Sequence, residues 1–231
     1  SVLFSSISES GRDVAYCILT RNPDTHWRKE LQYKTTKKDV LEIMAQFMYR
    51  RVPLSFFTFI YLRSIVNHNN IRFPVGIKYG EDQEFLWKYL THVKTGVFIN
   101  APLYGYLDSP TSVMRIINWS RTDAIIASEN VGKYLMINNS PFAYEYNRYM
   151  IARTILHILK HYASAERHDL FKRLEGEYDT VKLVKQLVSS GKSLQVKISA
   201  LIYITCPKIF YNGIAFLAKL RNMIRRDSNE K

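Results

Sequence analysis

The sequence predicts an α/β region over residues 1–115 followed by an all-α region over residues 116–231. Strand-like runs alternate with helical patterns in the first part, whereas long stretches with helical periodicity and no strand pattern fill the second. The chain has 231 residues, 47% of them hydrophobic and 23% charged, which is typical of a globular protein with a sizeable core.

The first predicted strand is the β-rich run 13–20, which an Arg-Asn-Pro-Asp sequence ends. An amphipathic helix is predicted over 36–51, because apolar residues recur there at helical spacing. Thr36 and Asp39 form an approximate capping box at its start, and Pro53 is expected to stop it.

Residues 55–60 are β-prone, and 62–66 could form one or two helical turns. Acidic residues follow Gly80 directly and precede an apolar helical pattern, which predicts a helix N-terminus. The segments 96–100 and 103–107 are strand-like, with an Ala-Pro pair between them. Helical stretches are then predicted over 119–138, 141–163 and 166–189, and no apolar run is long enough to span a membrane.

The net charge of +13 predicts an anionic partner. The two cysteines are too few for a disulfide framework, which fits a reducing compartment. Nucleic acid is not the expected partner, because the basic residues are spread along the chain and no RNP-like, helix-turn-helix or zinc-finger signature is present.

One segment carries candidate chemistry, the run IRFPVGIKYGEDQEFLW over 71–87. It places two adjacent carboxylates, Glu81 and Asp82, at a glycine-led helix start. There one carboxylate can cap backbone N–H groups while its neighbour points outward, and an outward carboxylate close to a hydroxyl can act as a general base. The alternative is an ordinary acidic first turn of a helix.

The order of several short strings resembles the second half of bacterial family 2 glycosyltransferases, which have the GT-A (Rossmann-like) fold. The strings are Ile-Arg-Phe, Gly-Glu-Asp-x-x-Phe, Gly-Val-Phe-Ile-Asn, Pro-Leu-Tyr-Gly-Tyr and Ser112, and the resemblance covers about 13–115. It implies an inverting transferase of the hexosyltransferase type, which moves a sugar from a nucleotide-sugar to a saccharide or polyprenyl-linked acceptor. Such enzymes build capsule, O-antigen and other surface polysaccharides.

The resemblance also implies roles for individual residues. Asp82 would be the catalytic base that deprotonates the acceptor hydroxyl, and Glu81 would support the loop or contact the acceptor. Tyr104 and Tyr106 match the family's Leu-Tyr-x-Tyr strand and would flank the acceptor, although each could equally be a core or sheet-surface aromatic residue.

Two further residues are candidates for the acceptor site. Trp87 could stack on a sugar, with a place in the core as the alternative. Arg115 could reach a diphosphate or a lipid phosphate, because Arg suits phosphate recognition, with a solvated surface position as the alternative.

The family's Asp-x-Asp motif is absent from this sequence. The resemblance implies a divalent metal, Mg or Mn, in the complete enzyme, and its ligands are not in this chain. The chain also begins with Ser1 rather than Met. We therefore expect a C-terminal part of a longer transferase that does not turn over sugar nucleotide alone. No metal site is predicted, because His157 and His161 lack the intervening Glu of a zinc-binding helix.

The end of the chain is basic and apolar. Residues 192–231 contain eight Lys and Arg against two acids, with aliphatic and aromatic residues between them. This profile is typical of a helix in the interface of an anionic membrane, and it predicts a cytoplasmic protein held peripherally on the inner face of the cell membrane. The alternative is a pair of core-packing helices.

The competing function is a non-catalytic membrane-surface or interaction module with a decayed transferase domain.

Overall fold

The structure is a computed structural model that describes residues 2–21, 33–50, 52, 55–107, 112, 116–190 and 193–229. Within them a four-stranded mixed sheet precedes a helical region, as the sequence predicts. The strands are β1 (Val14–Thr20), β2 (Thr35–Asp39), β3 (Phe59–Tyr61) and β4 (Thr95–Gly105). The helices are α1 (Val2–Ser10), α2 (Val40–Tyr49), α3 (Arg63–His68), α4 (Glu81–Leu90), α5 (Asp123–Ile137), α6 (Ala143–Ser164), α7 (His168–Glu177), α8 (Thr180–Ser190), α9 (Leu194–Thr205) and α10 (Pro207–Asn229).

The sheet has the order β2-β4-β1-β3, with a parallel pair at its centre. Strands β1 and β4 run parallel, and the outer strands β3 and β2 pair with them antiparallel. Helix α4 ends beside the start of β1, where the Tyr89 hydroxyl donates to the Asp13 carbonyl over 2.7 Å. Nearer the start of α4, Phe85 contacts Phe56, and the neighbouring Phe57 stacks on Tyr104 close to where β1 and β4 finish. The first turn of α4 therefore lies toward that end of the sheet.

Strand β4 is one continuous strand, so the prediction of two separate strands is wrong. The ladder between β2 and β4 ends at the pair Thr35 and Ile99, and the register between β1 and β4 shifts after Cys17. Pro102 lies beyond the end of the β2–β4 pairing and within the irregular part of the β1–β4 pairing. Its missing N–H therefore interrupts no regular run of hydrogen bonds.

Helix α2 begins four residues later than predicted. Thr36 pairs with Phe98 in the sheet and belongs to β2, so the predicted capping box at Thr36 is wrong. Asp39 is the N-cap instead, and its carboxylate accepts a hydrogen bond from the Leu41 N–H over 2.8 Å. At the other end Arg50 takes a left-handed conformation with φ 49°. Pro53, the predicted stop, lies outside the described residues.

One hydrophobic cluster crosses the predicted boundary at 115 and 116. It includes residues of the sheet-bearing part, such as Tyr16 and Leu86, together with Ile125, Tyr149 and Tyr203 of the helical region. The two parts therefore differ in secondary structure but share a core. Among the described residues, no helix combines the length and the hydrophobicity that crossing a membrane requires.

Candidate functional site

The loop before α4 is held in place by a glycine and an anchor. Gly80 has φ +86°, a conformation that side chains with a Cβ rarely adopt. A Cβ at this position would lie 3.1 Å from the Ala127 Cβ and 3.2 Å from the Ala124 Cα. The Lys78 N–H donates to the Asp123 carboxylate over 2.9 Å and ties the loop to the start of α5. The first turn of α4 therefore starts from a tightly packed position.

Asp82 and Glu81 lie in that first turn, and both are half-buried. Burial raises the pKa of Asp82, although the Gln83 N–H that donates to its Oδ1 over 2.7 Å opposes the shift. Burial also raises the pKa of Glu81, with a smaller contribution from the charge of Asp82. A carboxylate with a raised pKa is a stronger proton acceptor than an ordinary one, which suits a general base.

Two tyrosines lie behind these carboxylates. Burial raises the pKa of Tyr61 well above its usual range, and the charges of Asp82 and Tyr89 add to the shift. The Tyr61 hydroxyl donates to the Phe56 carbonyl over 2.8 Å. Phe85, which follows Asp82 by three residues in α4, contacts Phe56, Tyr61 and Phe73, so the helix that bears the carboxylate packs against the aromatic residues around β3.

Five rings here form an aromatic platform, which we define as Phe56, Phe57, Phe73, Phe85 and Tyr104. Phe57 and Phe73 are its exposed members, Phe56 and Tyr104 are half-buried, and Phe85 is buried. Phe57 is 45% exposed and stacks on Tyr104 with ring centroids 5.7 Å apart. Phe73 is 48% exposed and stacks on Phe85 at 4.5 Å. Phe56 contacts Phe57, Phe73 and Phe85 edge to face and joins the two stacks. Aromatic faces of this kind pack against the C–H faces of sugar rings.

The predicted tyrosines lie where the central parallel strands finish. Tyr104 pairs with Leu19 across the sheet and is half-buried under Phe57. Tyr106 donates its N–H to the Thr20 carbonyl, and the Arg21 guanidinium carbon lies 5.3 Å from the centre of its ring. The carboxyl ends of strands are where open α/β sheets bind ligands. The structure thus brings Tyr104 and Asp82 to one end of the sheet.

Trp87 is a core residue and presents no surface to a sugar, which corrects the prediction of an acceptor contact. It is fully buried and packs against Phe47 and Tyr146. Its position follows from helical spacing, because the face of α4 that bears it is covered by α2 and α6. Its indole N–H is buried with no hydrogen-bond partner among the described residues. Arg115 lies outside the described residues.

Three residues near the site were missed in the sequence. Tyr61, Phe57 and the buried Glu84 have no local pattern that marks them. Glu84 Oε1 lies 2.6 Å from the Lys88 ammonium, and Oε2 accepts from Asn130 of α5 over 3.2 Å. Glu84 therefore fixes the carboxylate-bearing helix to its neighbour.

In the described part of the chain, no group of three or more His, Cys, Asp and Glu side chains could hold a metal ion. The divalent metal that the resemblance implies would belong to the complete enzyme. Comparisons with protein-family models and with curated proteins find no match for this chain.

Proposed function

We propose that the protein is the acceptor-side part of an inverting glycosyltransferase of the family 2, GT-A type, in which Asp82 is the general base. The observation that carries the proposal is the half-buried Asp82 carboxylate beside the aromatic platform, at the end of the sheet where β1 and β4 finish. The resemblance in the sequence supplies the reaction class, and this geometry supports it.

In the proposed reaction an acceptor sugar lies against the exposed rings of Phe57 and Phe73. Asp82 accepts the proton of the acceptor hydroxyl as its oxygen forms a bond to the anomeric carbon of the donor. The bond between that carbon and the phosphate oxygen of the nucleotide-sugar breaks on the opposite face. The electron pair leaves with the nucleotide diphosphate, and the configuration inverts. Glu81 keeps the local field negative, which favours the protonated form of Asp82 after transfer.

A surface on α9 and α10 supports association with anionic lipid. Apolar side chains there are 40–72% exposed, and Lys197, Lys208 and Arg221 lie among them. They are Leu194, Ile198, Leu201, Ile202, Ile209, Phe216, Leu217, Leu220, Met223 and Ile224. Apolar residues interspersed with cations fit the interface of an anionic bilayer, where a polyprenyl-linked acceptor would be found.

The catalytic assignment is tested with Asp82→Asn in the protein expressed from its whole reading frame. Loss of a general base lowers transfer by about 10²- to 10⁴-fold. Release of nucleotide diphosphate from a panel of nucleotide-sugars, with saccharide and polyprenyl-linked acceptors, measures the rate. Glu9→Gln, which removes one exposed carboxylate from α1, is the control and leaves the rate unchanged. An Asp82→Asn variant as active as the wild type would contradict the assignment and favour the non-catalytic module.

The lipid association is tested by flotation with anionic and neutral vesicles. A variant with Phe216→Ser and Leu217→Ser should lose binding to anionic vesicles, because both side chains are about 60% exposed on α10. The matched control changes Met136 and Ile137 to Ser, an exposed apolar pair at the end of α5. Equal flotation of both variants would remove the lipid surface from the proposal. Shortening the chain is a poorer test, because Tyr203 and Phe210 are buried in the core.

A further inference from the structure

Five cationic or potentially cationic side chains converge on one side of α6, and we call this cluster the basic recess. Arg153, His157 and His161 are spaced i, i+4 and i+8, so they share one face of α6. Arg50 reaches the same place from the end of α2. Arg121 reaches it from the 3₁₀ helix Trp119–Thr122.

Defined contacts hold these side chains. The Arg153 guanidinium donates to the Met48 carbonyl over 2.8 Å, which brings it to the end of α2 where Arg50 follows. The Nε2 atoms of His157 and His161 are 3.0 Å apart. A hydrogen bond at this distance requires at least one neutral ring. The Arg121 Nε donates to the Ile116 carbonyl over 3.0 Å.

The recess concentrates positive charge. Burial, together with the charges of His161, Arg50, Arg153 and Arg121, lowers the pKa of His157 to about 3. Burial also lowers the pKa of Arg153, and the charge of Arg50 adds to this effect. In the described ranges, no carboxylate lies within ion-pair distance of Arg50, Arg153 or either histidine.

His157 is exposed to solvent although the surrounding protein disfavours its charged form. Positive charges held together are unfavourable in the free protein, and Arg50 and Arg153 lie beside the two histidines with no carboxylate of the described ranges within ion-pair distance. A bound anion would remove that repulsion, and clusters of this kind mark binding sites.

We propose that the basic recess binds the diphosphate group of a ligand. Guanidinium groups form paired hydrogen bonds to phosphate oxygens, and Arg50, Arg153 and the two imidazoles together offer several donors to such a group. The Arg121 guanidinium carbon lies 5.2 Å from the centre of the Tyr79 ring, and Tyr79 directly precedes Gly80 in the sequence. The site is defined by binding alone, so it does not depend on the transfer activity proposed above.

The first experiment is a titration of the full chain with inorganic pyrophosphate in the presence of EDTA, followed by NMR of the histidine rings. His157 and His161 resonances should shift saturably, and the pH at which these rings protonate should rise because a bound anion favours the imidazolium. His68, His92 and His168 lie outside the recess and should not respond. The absence of a saturable response at His157 and His161, or an equal response of all histidines, would overturn the proposal.

Variants then tie binding to the recess. Arg153→Gln should weaken pyrophosphate binding by about tenfold or more, as expected for hydrogen bonds between charged groups. The affinity of Arg153→Lys for pyrophosphate should lie between those of the wild type and Arg153→Gln, because lysine keeps the charge but cannot form paired hydrogen bonds. Since Arg153 also contacts the end of α2, the double variant Arg50→Gln with His157→Gln provides a second measurement that leaves that contact in place. Lys185→Gln, an exposed charge change on α8, is the control and should bind as the wild type does.

The source of the diphosphate is distinguished with vesicles. Vesicles that carry an alkyl diphosphate lipid are compared with vesicles of phosphatidylglycerol and with pyrophosphate in solution. Binding of pyrophosphate or of the diphosphate vesicles that the recess variants abolish supports the proposal. Pyrophosphate binding that the variants do not weaken would refute it. So would a preference for phosphatidylglycerol vesicles or for single-stranded nucleic acid that survives the variants.

Discussion

Burial shifts pKa values in opposite directions at the first turn of α4 and at the basic recess on α6. At α4 burial raises the pKa of Asp82, and the neighbouring Glu81 adds a second acid. At α6 burial lowers the pKa of His157, and neighbouring cations lower it further. In both places the surroundings disfavour the charged form, and the fold holds like charges together. Such arrangements reduce stability and are therefore more readily explained by binding or catalysis than by folding.

The two regions are joined by a shared packing contact between α4 and α6. Trp87 of α4 packs edge to face against Tyr146 of α6, with ring centroids 4.7 Å apart, and both side chains are buried. A change here should affect the carboxylates and the recess together, whereas a change confined to one region should affect only that region.

The largest expected effect is that of Trp87→Ala, because it removes a fully buried side chain. Loss of such a side chain lowers the free energy of unfolding by about 3–5 kcal/mol. Urea unfolding followed by circular dichroism measures it. The control is Trp119→Ala, since Trp119 is half-buried and contacts the exposed Arg173 guanidinium, whose carbon lies 4.0 Å from the ring centre. We expect Trp119→Ala to lower the free energy of unfolding by less than Trp87→Ala does. Equal decreases in the two variants would contradict the role of Trp87 as a shared packing contact.

A smaller effect confined to the carboxylates is expected from Gly80→Ala. The variant places a Cβ at φ +86° and within 3.1 Å of Ala127, so the free energy of unfolding should fall by about 1–3 kcal/mol. The displaced first turn should also slow transfer while pyrophosphate binding stays unchanged. Gly176→Ala on α7 is the matched control, because nothing lies within 4 Å of the added Cβ, and it should stabilise the helix by about 0.5–1 kcal/mol. Equal destabilisation by both substitutions would exclude the packed loop as the cause.

How much of each region could be predicted depends on the separation of its parts along the chain. Gly80, Glu81 and Asp82 are consecutive, so their pattern predicted both the helix start and the carboxylate pair. The recess combines residues 50, 121, 153, 157 and 161, and only the spacing of the two histidines was visible locally. Two histidines four residues apart suggest a metal ligand set, whereas the structure places them beside arginines. A cluster brought together by three elements has no signature in a single sequence.

The errors in the secondary structure have the same origin. The residues of β2, Thr-Thr-Lys-Lys-Asp, have no strand alternation, and their conformation comes from pairing with β4 about sixty positions later. The residue type of Trp87 suits a sugar contact, but helical spacing directs its side chain toward Phe47 and Tyr146. Burial of this kind depends on the helices that cover a face, and a local pattern does not name them.

The smallest expected effects give the most direct comparison of the two regions, because acid should act on them with opposite signs. The raised pKa of Asp82 means that its charged form costs free energy in the folded state. Asp82→Asn should therefore stabilise the protein by about 1 kcal/mol, as is common where a functional group is removed. This gain should shrink as the pH falls through the raised pKa, because the wild-type carboxyl then becomes neutral.

His157 should behave in the opposite way. Its pKa is lowered to about 3 in the fold, whereas an unfolded histidine has a pKa of about 6.5. Below about pH 6.5 the unfolded state therefore binds a proton that the folded state does not, and the wild type loses stability as the pH falls. His157→Gln removes this loss, so it should resemble the wild type at about pH 8 and be more stable at about pH 5, by less than about 1 kcal/mol because the ring is solvent-exposed. Urea midpoints of both variants at the two pH values measure the effects. The contrast between the two regions is supported if the stability gained over the wild type shrinks in acid for Asp82→Asn and grows in acid for His157→Gln. The same pH dependence in both variants would show that burial does not act oppositely on the two regions.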